Sequence, residues 1–292
     1  MHGVGRASAA ITVVNALPTG VGCAVGIGLY ATAEVHVRPT RRLHRPTLEI
    51  PPEVRTPLVE EALRAGLARY FASVPSDATL SLHSEIPVAR GLKSSSAVAC
   101  AVLSAVAQAA HATVAPIEIA RVSADVAQET GVSATGALDD ALAGLSPGFV
   151  VTDNHRRTIL REGVVDTEWE AALFVPATPH RPSPEWSAAF RARAEEGARA
   201  VAAAREGEWW AAMERNTELV ESVMGYPYAE LRQTLRKEGA LASGVSGLGP
   251  TLAAVAPRNR IEGILDSLPA DEGLRLRVPF CDAHELPTGG GM

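Results

Sequence analysis

The chain is predicted to adopt an α+β fold in two parts, on three observations. Short β-branched or alternating segments are interspersed with long Ala-rich segments of helical character. In the second half, strands alternate with runs of helix composition that would cover one face of a sheet. Between the halves lies a charged, polar stretch from Asn154 to Thr167, where a boundary is expected. A length of 292 residues suits two modest domains or one large one.

Each element has a local reason. Ala10–Val14 is β-branched and reads as a strand, Asn15–Gly28 as a Gly-rich loop, and Tyr30–Val37 as an alternating strand. Arg38–Pro52 holds four prolines and reads as loop; its Arg41, Arg42 and Arg45 suit either a phosphate or solvent. Leu58, Ala62, Leu63 and Leu67 form one stripe of a helix over Pro57–Phe71. Ala78–Ile86 is a predicted strand, Ser94–Ala110 a helix buried on most sides, and Pro116–Gln128 a helix with proline in its first turn. Gly148–Thr152 and Glu168–Val175 read as strands. Helices follow over Pro184–Arg205, Glu208–Met224 and Tyr228–Glu238. Thr251–Ala256 is a strand, Arg260–Leu268 a helix and Leu274–Val278 a strand.

Composition narrows the function classes. Apolar residues make up 47% and aromatic residues 4%, so the core must be built from Ala, Val, Leu and Ile. A formal charge of −6 argues against a nucleic-acid partner. Cys23, Cys100 and Cys281 show no metal spacing and suit a reducing compartment. The first residues lack a signal-peptide layout, and Ala9–Ala33 is too interrupted by Asn15, Pro18 and glycines to span a membrane. A cytoplasmic protein is expected.

Three segments carry chemistry. Pro87-Val88-Ala89-Arg90-Gly91-Leu92-Lys93-Ser94-Ser95-Ser96-Ala97 leads from a strand through a Gly/Ser loop into a long helix. Free N–H groups at a helix start favour an anion, serine hydroxyls add donors, and Lys93 adds a charge. The spacing is not that of a Walker A loop, and a Ser-rich N-cap of an ordinary helix is the other reading. Thr135-Gly136-Ala137-Leu138-Asp139-Asp140-Ala141 places two carboxylates after a glycine turn. They suit proton transfer or Mg²⁺ binding, or the acidic first turn of a helix; Glu129 ends the preceding helix and is a further candidate ligand. Ser243-Gly244-Val245-Ser246-Gly247-Leu248-Gly249-Pro250-Thr251 reads as a hairpin loop or a loop that admits a ligand close to backbone.

Taken together and in this order, the three segments resemble the GHMP kinase superfamily, and most closely the archaeal-type shikimate kinases. Pro87–Ala97 resembles the second GHMP motif and Ser243–Pro250 the third. Asn15-Ala16-Leu17-Pro18-Thr19-Gly20-Val21-Gly22-Cys23-Ala24, Thr135–Ala141 and Thr152-Asp153-Asn154 resemble stretches of the shikimate kinases. The resemblance runs from about Gly5 to the C-terminal strand. It implies an N-terminal ATP-binding domain over residues 1–160, like domain 2 of ribosomal protein S5, and a ferredoxin-like domain over 161–292.

The resemblance also implies roles. Asp139 would be the catalytic aspartate and Lys93 would offset charge on the phosphoryl group. Pro87, Arg90, Gly91, Leu92, Lys93, Ser94, Ser95, Ser96 and Ala97 would hold ATP, and Ser95 and Glu129 would ligate Mg²⁺. Asn15, Thr19, Gly20, Asp139, Ser246 and Gly247 would face the substrate. Arg90, Arg156, Arg157 and Arg181 are candidates for an acceptor carboxylate. Ala9–Thr19 lacks the lysine that the first motif often carries, and Pro287–Gly291 is looser than in these kinases. The activity implied is phosphorylation of shikimate, by a monomer or homodimer with a small-molecule partner. The alternatives are a cyclitol, homoserine or another small alcohol as acceptor, or a non-catalytic S5-like binding module.

Overall fold

The computed structural model describes residues 1–40, 46–178, 184–282, 284 and 286. Arg41, Arg42, Arg45, Arg181 and the tail from Pro287 lie outside the described residues. Two antiparallel hairpin systems organise the rest. Strand β1 (His2–Val14) pairs along β2 (Val21–Pro39). The opposite edge of β2 is shared: its C-terminal half pairs with β4 (Ser76–Ser84) and its N-terminal half with β5 (Phe149–Asp153). A two-residue β3 (Leu48–Glu49) and β6 (Thr158–Gly163) complete this sheet. Helices α2 (Ser94–Ala109) and α4 (Leu138–Leu145) pack on it, and α1 (Pro57–Tyr70) and α3 (Pro116–Glu129) pack in turn against α2.

The stretch read as a Gly-rich loop is mostly strand, because its glycines admit neighbours rather than turns. A Cβ on Gly22 would lie 2.2 Å from the Asp139 carboxylate, and one on Gly26 would lie 2.4 Å from the Ala143 carbonyl. Helix α4 therefore sits directly on β2. The same device seats α2 on β1, where Cβ atoms at Gly3 and Gly5 would lie within 2.1 Å of the Ala105 and Ala101 carbonyls. Alanines along the buried face of α2 complete that close approach.

The polar stretch 154–167 also departs from expectation, since it contains β6. That strand is the exposed edge of the first sheet, so its side chains face water and its sequence reads as linker. The second sheet starts at β7 (Trp169–Pro176). Then come α5 (Pro184–Arg191), α6 (Ala194–Glu206), α7 (Trp209–Met224), α8 (Ala229–Lys237), β8 (Ala242–Val245), β9 (Leu252–Pro257), α9 (Ile261–Asp266) and β10 (Gly273–Pro279). Its spatial order, β10-β7-β9-β8, is that of a ferredoxin-like βαββαβ unit.

Strand β7 is apolar on both faces, and its period of two separates two cores. Ala171, Leu173 and Val175 join the large core under the first sheet. Ala172 and Phe174 join a smaller one with Phe190, Leu219 and Ile264. The two sheets thus share one continuous interior. Among the described residues, no helix is long and apolar enough to cross a membrane.

Candidate active site

The start of α2 and the start of α4 face each other across a cleft of about 540 Å³. Gly91, Lys93, Ser94, Ser95 and Ser96 line one side, and Ala137, Asp139 and Asp140 another. Asn15 to Leu17, the loop from Gly131 to Thr135, Gly247 and Leu248 close it. Both helices begin from a non-glycine residue in the left-handed region, Lys93 at φ 64° and Ala137 at φ 52°. Such a backbone costs about 1–2 kcal/mol per residue, and here it turns the chain sharply enough to aim both helix starts inward. The orphan N–H groups of α2 and three serine hydroxyls make an anion cradle.

Asp139 lies in the first turn of α4 and is only 4% exposed. Its Oδ1 accepts a hydrogen bond from Asn154 Nδ2 at 2.8 Å. Burial, followed by the negative charge of Asp140, raises its pKa from 3.8 to about 7; Lys93 and the Asn154 hydrogen bond pull the other way. Burial, and then the same carboxylate, push the Cys23 thiol well up, so that thiol stays protonated. Lys93 Nζ stands 3.2 Å from Asp140 Oδ1. That oxygen is buried and accepts no hydrogen bond, so the contact is electrostatic rather than directed. Lys93 thus supplies a cation beside the paired acids.

Asn154, quoted above only as part of a motif, proves to be the residue that holds Asp139. Its side chain is fixed at both ends: Thr152 Oγ1 donates to Asn154 Oδ1 at 2.5 Å, while Nδ2 serves Asp139 and, at 3.3 Å, Thr135 Oγ1. Its backbone N–H donates to the Gly20 carbonyl at 2.9 Å. Nothing in the sequence alone pointed to this contact, because residues 139 and 154 meet only after β5 returns beside β2.

The third glycine segment locks the cleft from the second sheet. Ser246 Oγ donates to the Gly91 carbonyl at 2.7 Å and accepts from Thr12 N at 3.1 Å. Gly247 N donates to Thr12 Oγ1 at 2.8 Å, and Asn15 Nδ2 donates to the Gly247 carbonyl at 3.3 Å. A Cβ on Gly91 would lie 2.1 Å from the Ser246 carbonyl. Ser246 is therefore committed to holding two loops together, while Gly247 faces the cleft beside Lys93 Nζ.

Several sequence-derived site residues stand elsewhere. Glu129 is exposed and lines a separate charged hollow with Arg55, Glu60, Glu61 and Arg64. Ala127 faces the cleft, and two residues further along α3 is about 200° round the helix, so Glu129 points away. Leu92 and Ala97 are core residues and Pro87 precedes the cleft. Arg90 donates to the Ala177 carbonyl at 2.5 Å. Thr19 bonds within its own turn, and Gly20 supports Asn154. Arg157 is spent on the Thr135 and Asn154 carbonyls, Asp125 and Gln128; Arg156 is exposed beside Asp153. Among the described residues lining the cleft, Lys93 is the sole lysine or arginine.

A family profile for the GHMP kinases N terminal domain matches residues 57–148, and one for the GHMP kinases C terminal matches residues 193–272. A shikimate kinase from Archaeoglobus fulgidus is 35% identical over 262 residues, covering 90% of this chain and 87% of the relative. The chain belongs to the GHMP kinase family. A shikimate kinase from Pyrococcus abyssi is 33% identical over 256 residues, covering 88% of this kinase and 92% of its own length. Among solved structures, the mevalonate kinase of Methanococcus jannaschii superposes with a TM-score of 0.71 at 13% identity, over 97% of this kinase and 99% of that chain. A putative homoserine kinase from Listeria monocytogenes gives 0.61 at 19% identity, covering 96% of each chain. These two show that the kinase shares their fold.

Proposed function

We propose that this GHMP kinase transfers the γ-phosphoryl group of ATP to a hydroxyl of shikimate, giving shikimate 3-phosphate and ADP. The observation that carries the chemistry is a buried carboxylate, with a pKa near 7, in the same cleft as a helix start rich in free donors. The acceptor is argued from the archaeal shikimate kinases, 33–35% identical over about nine-tenths of this chain. The paired acids Asp139 and Asp140 disfavour homoserine, and a shikimate-like cyclitol is the second acceptor to test.

In this reading the α2 start, with Gly91 and Ser94 to Ser96, cradles the triphosphate. As the new O–P bond forms, Asp139 accepts the proton of the acceptor hydroxyl and ADP departs with the electron pair of the old bond. Asn154 keeps Asp139 aimed, and Lys93 offsets charge gathering on the phosphoryl oxygens. Because the named arginines are engaged elsewhere or lie outside the described residues, Lys93 is also the nearest cation for an acceptor carboxylate. The donor set suits Mg²⁺: Asp140 brings a carboxylate oxygen without a hydrogen bond, and Ser95 an exposed hydroxyl. Bound there, the ion would neutralise phosphate charge. Glu129 stands outside this set. We assign residues 1–163 and 164–292 to the two domains, three residues later than the expected boundary at 160, because a cut there would split β6 from the sheet it completes. A cytoplasmic monomer or homodimer with no nucleic-acid partner fits the acidic charge.

A coupled assay of ADP release, run with shikimate, homoserine and cyclitols, tests the reading. ADP release that depends on shikimate is expected. Turnover with another acceptor alone would remove shikimate, and no turnover with any acceptor would remove the kinase chemistry.

A further inference from the structure

We propose that His2, Glu34 and His36 form a surface site for a borderline divalent metal ion of the Zn²⁺ or Ni²⁺ type, separate from the kinase cleft. The three side chains meet by strand register. His2 on β1 lies directly opposite His36 on β2, and Glu34 precedes His36 by two residues, hence on the same face. Their candidate ligand atoms all lie within 4.8 Å of one another, and all three residues are exposed.

The spacing fits a metal shell. His2 Nε2 is 2.7 Å and His36 Nε2 3.4 Å from the same oxygen, Glu34 Oε1. In a tetrahedral site with bonds of about 2.0–2.1 Å, neighbouring ligand atoms are separated by about 3.3 Å. Small side-chain rotations therefore bring the set to ligating distance. The ring centroids are already 4.6 Å apart. Two imidazoles and one carboxylate leave one position open to water, and this donor set prefers Zn²⁺, Ni²⁺ or Cu²⁺ over Mg²⁺.

The surroundings leave the set available. Arg38, the next residue on this face of β2, is paired with Glu49 at 2.9 Å. On β4 the facing residues are Thr79 and Ser81, which carry no charge. The platform is a continuous ladder, and the Met1 amine donates to the Val37 carbonyl at 2.7 Å beside it. From Gly22, which supports Asp139, to Glu34 is twelve residues of β2, about 40 Å at the strand rise. Metal at this site would tie the first turn of the pleat in β1 to β2 without touching the kinase chemistry.

The test uses the tag-free chain without nucleotide, in excess Mg²⁺. Zn²⁺ is titrated calorimetrically and Co²⁺ by its visible absorption. One equivalent is expected, with a melting point that rises on adding Zn²⁺. His36→Ala should abolish that equivalent and the thermal shift, and His2→Ala and Glu34→Gln should each weaken binding at least tenfold. ADP release should be the same in all four proteins when no Zn²⁺ is added. Binding retained in both His36→Ala and His2→Ala, or an unsaturable wild-type titration in excess Mg²⁺, would overturn the site. Both histidines are exposed, so either variant serves if the other folds poorly.

Discussion

Replacing Asp139 by Asn should make the protein more stable and nearly inactive at once. In the folded chain this carboxyl titrates near pH 7 rather than 3.8. At about 1.4 kcal/mol per pH unit, holding it ionised costs the fold on the order of 4 kcal/mol. The sign follows from proton binding. Between pH 4 and pH 7 the folded state keeps a proton that the unfolded chain has released, so this contribution declines as pH rises through that window. Above it the full cost stands. Asn carries no charge, can still accept from Asn154, and leaves Lys93 its contact with Asp140. Melting curves of wild type and Asp139→Asn should coincide near pH 4 and diverge toward pH 8, with the variant higher by several degrees. Turnover should fall about 10²–10⁴-fold. A variant no more stable than wild type at pH 8 would refute the buried-charge argument, and turnover within tenfold of wild type would refute the proton-transfer role.

Four further outcomes are expected. Asn154→Ala removes the hydrogen bond that lowers the Asp139 pKa, so the pH–rate profile should move to higher pH while the KM for ATP holds; an unmoved profile would show Asn154 to be a bystander. Lys93→Ala should move the profile in the same direction and shrink the excess thermal stabilisation by ATP over adenosine, and equal ATP and adenosine shifts in wild type would dismiss the phosphate cradle. Gly22→Ala drives a Cβ to 2.2 Å from Asp139 Oδ2, so it should cost stability and activity together; wild-type kinetics would contradict that seating. Ser95→Ala should raise the Mg²⁺ requirement in a titration of turnover while Glu129→Gln leaves it alone, and the reverse ranking would restore Glu129 as the ligand.

Periodic or continuously apolar elements were legible from local chemistry. The stripe of α1, the Ala-rich run of α2 and the short apolar strand β9 each appear within two residues of their expected bounds. Residues whose neighbours lie far along the chain were not. Glycines in β2 and β8 read as loop because a sequence does not reveal what fills the space a missing side chain leaves. In the fold that space holds Asp139 over Gly22, and Met213 and Thr217 against Gly244.

The same division runs through the site. Sequence alone determined that a Ser-rich helix start, a pair of aspartates and a third glycine segment exist in that order, since these signals are contiguous. Tertiary structure decided which of their side chains face one another. It put Lys93 against Asp140, spent Ser246 on Gly91 and Thr12, and turned Glu129 away from the cleft. It also made Asp139 a base poised near neutral pH, because desolvation and the proximity of Asp140, Lys93 and Asn154 are properties of packing that no single segment carries.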